Sequence, residues 1–587
     1  MQYERRMGEL QAGLEQARLH GTFAAVLLAL AVAVFLVLSV FAFRQQVSFL
    51  WPPVPVPVVA SSAHRLRRYR HSQSRMWRLQ RFYGRAIDRV KGNWPGNGAN
   101  GEEFINPDHV YVRDLDIFGE GSLFEMLCTA RTSIGRRGLA DYLLKAPSVE
   151  ETLSRQEAVR ELRGLVDLRE RLALLGKFEF LESRWETFAE WLDLPTVSFS
   201  SPLRIAAFVT STLVAGTVVG GLTGLVSWIS VATWIAPLVA FHSVIGVLFR
   251  GRVNRMIVSL RPVSFETQVL REGLLLMEEH RFESPKLRQI ASQVRNSSKS
   301  VRKLERLLNA LNERTKDWFY GPSLLLQVGT QLCMAIEHWR IEHRAALRVW
   351  LDAWAEFEAL NALANYAYEN AENTFPDFFT DGTKFEAEGL GHPLLVSAVC
   401  VRNDVQLNQD SRFYVISGSN MSGKSTLLRA IGLNAVLAFA GAPVRARVLR
   451  LSRLSVCASI YVVDSLLNGK SKFMAEVDRL RQMIQAALQG EPVLFLIDEI
   501  FGGTNSRDRR VAAEAVVRTL VNRGAIGALS THDLALSEIA TSELCGVNVH
   551  TGSRDGSDPM DFDYRLKPGV TNEANAVAIA RMAGVPI

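Results

Sequence analysis

A glycine-rich loop between an apolar run and a helix is the feature that most constrains how this chain folds. The apolar run Phe413–Ser417 is typical of a buried strand, and the loop after it has the spacing GxxxxGK[ST]. Such a loop exposes backbone N–H groups, and the following helix adds the positive end of its dipole, so anionic phosphates bind there. The chain is therefore expected to contain a parallel α/β domain. The residues predicted to bind a nucleotide are Gly418, Ser419, Asn420, Met421, Ser422, Gly423, Lys424, Ser425 and Thr426.

A second apolar run, Val493–Ile497, ends in two carboxylates. A carboxylate at this strand end can reach the magnesium ion that accompanies a bound nucleotide, so Ser425 and Asp498 are predicted to hold Mg²⁺. Glu499 is predicted to orient or deprotonate the attacking water, and Lys424 to contact the β and γ phosphates. Without the glycine-rich loop, two carboxylates at a strand end would more often be a capping feature.

A third apolar run, Gly524–Leu529, is followed by Ser530, Thr531 and His532. A histidine after a strand is usually structural. Because this one follows the two carboxylates in chain order, we predict that His532 senses the γ phosphate or the attacking water.

Two long uncharged stretches predict membrane helices. Thr22–Phe43 can cross roughly 30 Å of hydrocarbon at about 1.5 Å per residue, whereas a secretory signal, the alternative, would have a shorter apolar core. Ile205–Phe249 contains only His242 as an ionisable group and is long enough for a helical hairpin. A buried hairpin of a soluble protein is the alternative there. The weaker run Val47–Ser61 contains several prolines and leaves a second N-terminal span open.

The segment after the first apolar stretches is strongly basic. Its interleaved aromatic residues would suit nucleic acid, but arginines beside a membrane helix are more typical of a cytoplasmic flank that contacts anionic lipid. We therefore expect a multi-pass protein of the inner or plasma membrane whose nucleotide-binding domain is cytoplasmic. The net charge of +7 adds little, because the ten basic residues of this segment exceed the whole surplus. They are Arg65, Arg67, Arg68, Arg70, Arg75, Arg78, Arg81, Arg85, Arg89 and Lys91.

Three motifs in fixed order make a family resemblance specific. GSNMSGKST, FLIDEIFGGTNSRD and LSTHD resemble the MutS family of mismatch-repair ATPases, and the Asn-Met pair inside the loop is the most telling detail. The resemblance implies a P-loop ABC-type fold, hydrolysis of ATP with Mg²⁺, and a homodimer formed through the ATPase domains. It also implies that residues 464–476 form the family's signature segment, with Ser471 acting in trans on the partner's nucleotide.

The resemblance extends to both sides of these motifs. Gly389–Pro393 and Asn403 are similar to the start of the family's ATPase domain, which implies that Cys400 and Val401 lie beside the adenine and that Tyr564 stacks on its other face. Residues 122–156 are similar to the start of the family's helical core. Residues 564–586 are similar to its terminal helical segment.

The resemblance has two departures. Nothing before residue 110 resembles the family's mismatch-reading domain, and the predicted hairpin interrupts the helical core. Binding of mismatched DNA and a repair role are therefore implied by family analogy alone. The alternative is a membrane or envelope ATPase that acts on a protein partner without DNA. A nucleotide switch without turnover is disfavoured, because every predicted catalytic residue is present.

The predicted fold class is α plus α/β. Apolar positions three and four residues apart predict helices in the middle of the chain, where a projecting lever and an ordinary bundle fit equally well, and alternating strands and helices follow. The predicted organisation is a membrane anchor (1–62), a basic linker (63–110), a MutS-core-like helical domain (111–200), a transmembrane hairpin (204–250), a helical lever (260–373) and an ATPase domain (375–587).

Overall fold

The computed structural model confirms the mixed helical and α/β character of the chain. Among the described residues every strand lies at or after Asp377, and long helices precede it. The predicted terminal helical segment lies mainly in 572–587, outside the described residues. The structure describes residues 2–48, 50–176, 191–195, 201–314, 316, 321, 323, 326–419, 421–461, 472–502, 505–552, 554 and 561–571.

An antiparallel helical hairpin forms the N-terminal part. It consists of α1 (Gln2–Phe43) and α2 (Val56–Lys91). The rings of His20 and Tyr69 stack across it with 5.7 Å between their centroids, which fixes the register of the two helices. The segment predicted as a basic linker is therefore largely the second helix of this hairpin.

The proline-rich run at 47–61 does not form a helix of its own. Turns occupy it as far as Pro55, and the rest is the beginning of α2. A proline lacks the N–H that a helix interior needs but is tolerated in the first turn, where Pro57 lies. The prolines therefore set the point at which the chain reverses.

Four short helices follow, and hydroxyl caps fix where three of them begin. Ser122, Thr132 and Ser148 each accept a hydrogen bond from the backbone N–H three residues later. Helices thus occupy most of the predicted helical domain between residues 123 and 173, while 177–190 and 196–200 lie outside the described residues. The four are α3 (Leu123–Leu127), α4 (Ser133–Leu144), α5 (Val149–Gly164) and α6 (Val166–Ala173).

The second apolar stretch forms a hairpin of α7 (Ser201–Leu222) and α8 (Trp228–Glu279). Helix α8 continues without a break from its apolar start far beyond the predicted end of the hairpin. Two stretches of the described residues are long and apolar enough to cross a bilayer, Tyr3–Phe43 and Ile205–Leu222. In their most apolar windows only 11% and 28% of the residues are buried. Membrane insertion itself stays a prediction.

The remaining helices that precede the sheets pack as a bundle. They are α9 (Pro285–Gln293), α10 (Ser297–Glu313) and α11 (Val328–Glu369). Helix α11 contains fully buried residues near both ends, Cys333 and Leu363, so protein covers it along most of its length. Helix α4 lies so close to it that a Cβ added at Gly138 would be 2.4 Å from the carbonyl oxygen of Ala355. The predicted lever role of residues 260–373 stays a prediction.

Two sheets make up the C-terminal part. The smaller has the order β1-β5-β2-β3, and the larger has the order β10-β9-β4-β8-β7-β6, in which all neighbours except β10 and β9 are parallel. Parallel neighbours bring the carboxyl ends of β4, β7 and β8 to one edge. The strands are β1 (Asp377–Phe378), β2 (Phe385–Leu390), β3 (Asn403–Leu407), β4 (Phe413–Ser417), β5 (Val448–Leu451), β6 (Ser455–Ser459), β7 (Val493–Asp498), β8 (Ile526–Thr531), β9 (Gly546–His550) and β10 (Lys567–Pro568).

Three helices cover the larger sheet, α12 (Lys424–Ala440), α13 (Lys472–Leu488) and α14 (Ser506–Asn522). An irregular segment that contains Leu115 and Asp116 attaches the α/β domain to the helical part. Leu115 packs where Gly432 of α12 leaves room for it, and Arg429 pairs with Asp116 at 3.0 Å. One hydrophobic core therefore continues from the helical bundle into the α/β domain.

Candidate nucleotide site

The glycine-rich loop joins β4 to α12, as its sequence context predicts. A Cβ at Gly418 would be 2.6 Å from the carbonyl oxygen of Thr551, so only glycine fits there. Gly423 has a φ of 94° and ends the loop immediately before α12 begins. The buried hydroxyl of Ser422 is 2.7 Å from that of Thr551 and holds the loop against the end of β9. Asn420 lies outside the described residues.

Lys424 is folded back over the loop. Its Nζ donates hydrogen bonds to the carbonyl oxygens of Gly418 at 2.7 Å and Ser419 at 2.8 Å. Burial lowers the pKa of this amine, while Asp498 and Glu499 act in the opposite direction. The ammonium thus stands where the loop would surround an anion.

Asp498 is the last residue of β7 and accepts two hydroxyl hydrogen bonds. Ser425 donates to one carboxylate oxygen and Ser530, from the neighbouring strand β8, donates to the other. Ser530 is the serine of the LSTHD motif, for which the sequence predicted no role. The parallel register places it directly opposite Asp498. A hydroxyl and a carboxylate side by side are oxygen ligands that suit Mg²⁺, so Ser425 and Asp498 fit their predicted role.

Glu499 and His532 are also brought together. The Nδ1 of His532 is 3.0 Å from a carboxylate oxygen of Glu499. The backbone of Glu499 has a φ of 51°, and its N–H donates to the carbonyl oxygen of Ser530 at 3.1 Å. A left-handed backbone at a non-glycine residue costs energy and is typical of functional sites. This turn directs the Glu499 side chain to the histidine.

Tyr564 lies next to the loop, and its predicted stacking on the adenine stays a prediction. A Cβ added at Gly423 would be 3.0 Å from its ring, and Asn403 donates to its carbonyl oxygen at 3.0 Å. Cys400 and Val401 are partly buried and precede Asn403 by three and two residues. The thiol of Cys400 lies 3.9 Å from the carbonyl oxygen of His392. Met421 and Thr426 are exposed at the mouth of the site.

The signature segment is only partly described. Ser471 lies outside the described residues, so its predicted action in trans stays a prediction. The last residue of the segment, Glu476, is buried and accepts the backbone N–H of Phe501, two residues after Glu499. Burial raises the pKa of Glu476. This carboxylate therefore connects the signature segment to the turn that holds Glu499.

Asp114 is a second contact that the sequence did not reveal. Although it lies far upstream, it accepts the backbone N–H groups of Ile460 at 2.6 Å and Tyr461 at 2.9 Å. It is 1% exposed, and burial raises its pKa. Arg113 and Asp116 are its charged neighbours in the sequence, so no local pattern distinguishes Asp114. The helical part thus holds the backbone just before residues 462–471.

Comparison with known proteins agrees with this geometry. Residues 414–587 match the family model of MutS domain V. The DNA mismatch repair protein MutS of Lactobacillus johnsonii is 30% identical over 239 residues, which cover 39% of this chain and 28% of the relative. The DNA mismatch repair protein MutS 2 of Halobacterium salinarum is 33% identical over 232 residues, which cover 39% and 27%. The match thus spans little more than a quarter of either relative.

A parallel sheet with a phosphate-type loop, a hydroxyl–carboxylate pair and a second carboxylate at neighbouring strand ends is the arrangement expected of a nucleotide-binding α/β domain. The family match and this arrangement agree on the class of the C-terminal part, which is a nucleotide-binding domain of the MutS domain V type. Residues 414–587 are thus similar to domain V of the MutS family.

Proposed function

We propose that this protein is a Mg²⁺-dependent ATPase of the P-loop, ABC-type class. The observation that carries the proposal is the convergence of two pairs, Ser425 with Asp498 and Glu499 with His532, beside the loop that contains Lys424. Phosphoryl transfer to water needs positioning and stabilisation of charge rather than covalent catalysis. These residues supply both.

Each side chain has a definite task in this mechanism. When ATP binds, Lys424 exchanges its two carbonyl partners for phosphate oxygens, which are stronger acceptors because they are charged. Glu499 orients the attacking water and takes up its proton, and His532 holds the carboxylate in place. Mg²⁺, held by Ser425 and Asp498, would supply charge neutralisation at the phosphates.

The test is phosphate release by the full chain in detergent. We expect Lys424→Ala to lower kcat/KM by about a hundredfold or more, because one charge-stabilising donor is removed. Lys145→Ala, which removes an exposed lysine that pairs with Asp141 at 3.1 Å, is the matched control. Equal activity of the two variants would contradict the proposal.

The proposed ATPase works as a homodimer, in which Ser471 completes the partner's site. This follows from the family and from the contact of Glu476 with the turn that holds Glu499, because a movement of the signature segment would reach that turn directly. A mixture of Ser471→Ala and Lys424→Ala chains should recover part of the activity that each lacks alone. No recovery in the mixture would exclude a shared site.

We further propose that both hairpins anchor the protein in a membrane, with the ATPase domain cytoplasmic. The support is an apolar surface that protein does not cover: Phe23 is 70% exposed, Leu30 60% and Ile229 82%. Alkaline carbonate should leave the full chain in the membrane pellet of its host cells. Release into the supernatant would exclude insertion.

DNA is the proposed binding partner because both relatives described above are named as DNA mismatch repair proteins. Duplex or branched DNA should then stimulate ATP hydrolysis, and the stimulation should fall steeply with salt, as phosphate contacts require. If DNA neither binds nor stimulates at low salt, the exposed apolar hairpins favour the second candidate, an ATPase that acts on a membrane protein partner.

A further inference from the structure

A cavity of about 410 Å³ lies between the N-terminal hairpin and the helical bundle, away from the nucleotide loop. Its walls come from α2, α3, α4, α6, α11 and the turns at 94–99 and 128–131. The volume is within the usual range of small-molecule sites. Among the charged side chains that line it, seven arginines face three carboxylates: Arg78, Arg81, Arg85, Arg89, Arg131, Arg136 and Arg169 against Asp88, Glu125 and Glu358.

Part of this positive charge is already balanced. Arg89 forms a two-pronged pair with Glu369 at 2.7 and 2.6 Å, and Arg136 lies 3.6 Å from Glu103. The opposing carboxylates are also engaged: Glu125 accepts the backbone N–H groups of Gly98 and Gly121. Burial raises the pKa of Glu358 to about 7, which reduces its negative charge. The lining therefore contains more guanidinium groups than carboxylates.

Several buried polar atoms of the lining lack a hydrogen-bond partner among the described residues. Arg169 is only 2% exposed; one guanidinium nitrogen donates to the carbonyl oxygen of Ala364, but Nη2 has no partner. The Nε of Arg78 is also unpartnered, although its Nη1 donates to the carbonyl oxygen of Leu174 at 2.9 Å. An unsatisfied buried guanidinium is costly, and an acceptor inside the cavity would remove that cost.

The lining also offers contacts for a larger molecule than a bare ion. Phe82 and Trp94 form an apolar part of the wall. The side-chain oxygens of Asn361 and Asn365 are buried and have no partner in the described part of the chain, so they can accept hydrogen bonds. Arginine side chains with these neighbours suit a phosphate group that carries an organic substituent.

We infer that this cavity, lined by Arg78, Arg85 and Arg169, binds a phosphate-bearing molecule. Its phosphate is either a lipid headgroup or part of a soluble phosphate ester. The bound phosphate joins α2 of the N-terminal hairpin to α11, which ends eight residues before β1 of the α/β domain begins. Occupancy of the cavity therefore stabilises the junction between the hairpin and the rest of the molecule.

The inference changes the role of the basic segment. Arg78, Arg85 and Arg89 are spaced so that they lie on one face of α2, and that face is directed to the bundle. The arginines nearer the start of α2, such as Arg68 and Arg70, are exposed and do not line the cavity. This second group remains available to a lipid surface in the way the sequence predicted.

The experiment uses the full chain in neutral detergent with Lys424→Ala, so that the nucleotide loop does not bind the probe. Pyrophosphate without Mg²⁺ is titrated by calorimetry at low salt. In parallel, the thermal midpoint is measured in nanodiscs of phosphatidylcholine alone and with phosphatidylglycerol. Arg85→Glu alters the lining, and Arg70→Glu makes the same charge change on the same helix outside it.

We expect Arg85→Glu to weaken phosphate binding tenfold or more and Arg70→Glu to change it less than twofold. Saturable pyrophosphate binding with this pattern identifies a soluble phosphate ester as the source. A rise of the thermal midpoint with phosphatidylglycerol alone, absent in Arg85→Glu, identifies a lipid headgroup. Neither response, or an equal loss in both variants, would overturn the inference.

Discussion

Glu499→Gln is the substitution that isolates the chemical step. Glutamine has nearly the shape of glutamate and can still accept the hydrogen bond that joins Glu499 to His532 at 3.0 Å. The backbone bond to Ser530 is unchanged, so the turn with its φ of 51° should persist. Only the charge and the ability to take up a proton are lost. General bases contribute about 10²- to 10⁴-fold, so kcat should fall by that factor, or about 3–5 kcal/mol of activation free energy.

The assay separates turnover from binding. Phosphate release gives kcat, and the affinity for a fluorescent ATP analogue gives binding, which should stay within a few-fold because Glu499 is not part of the loop. Glu538→Gln is the matched control, since this glutamate pairs with Arg510 on the surface. If Glu499→Gln turned over ATP at the normal rate, Glu499 would not be the base. If the variant lost ATP binding as well, the assignment of separate tasks would be wrong.

Three further predictions follow from single contacts. His532→Ala should lower kcat about tenfold with little change in KM, because a hydrogen bond to a carboxylate is lost; an altered KM alone would contradict this. Gly138→Ala should lower the free energy of unfolding by about 1–3 kcal/mol, because its Cβ would meet Ala355. Gly164→Ala, where a Cβ has open space, should leave the free energy of unfolding unchanged. Chemical denaturation measures this quantity for both variants. Burial raises the pKa of Glu358 from 4.5 to about 7. The unfolded chain therefore loses this proton more readily than the folded chain, and the free energy of unfolding falls as pH rises from 4.5 to about 7. The loss is about 3 kcal/mol, and Glu358→Gln should abolish this slope in pH-dependent unfolding.

The sequence could indicate much of the candidate nucleotide site because its parts are local. The residues from Gly418 to Thr426 follow one another, and Asp498 and Glu499 are adjacent, so a strand, a loop and a helix start suffice to recognise them. What no local pattern contains is the register between strands. Ser530 reaches Asp498 only because β7 and β8 are parallel neighbours, and Asp114 reaches Ile460 only across the domain junction.

Charge patterns were the least decisive part of the sequence. The run of arginines after residue 64 predicted contact with lipid, but a helix has several faces, and its neighbours determine which one is exposed. In the structure Arg89 pairs with Glu369 and Arg78 donates to Leu174, so part of the run serves the interior. The prolines near residue 55 likewise marked a break correctly, but only the fold shows a chain reversal there.

The sequence by itself determined the class of the C-terminal domain, the loop that would surround the phosphates, and the apolar stretches that suit a membrane. Composition and short-range spacing are enough for these, because each depends on neighbouring residues. The tertiary structure alone decided that α11 is packed in a bundle, that Glu499 meets His532, and that arginines of α2 and α6 surround one cavity. These features depend on contacts between residues far apart in the chain, which form only when the whole core packs.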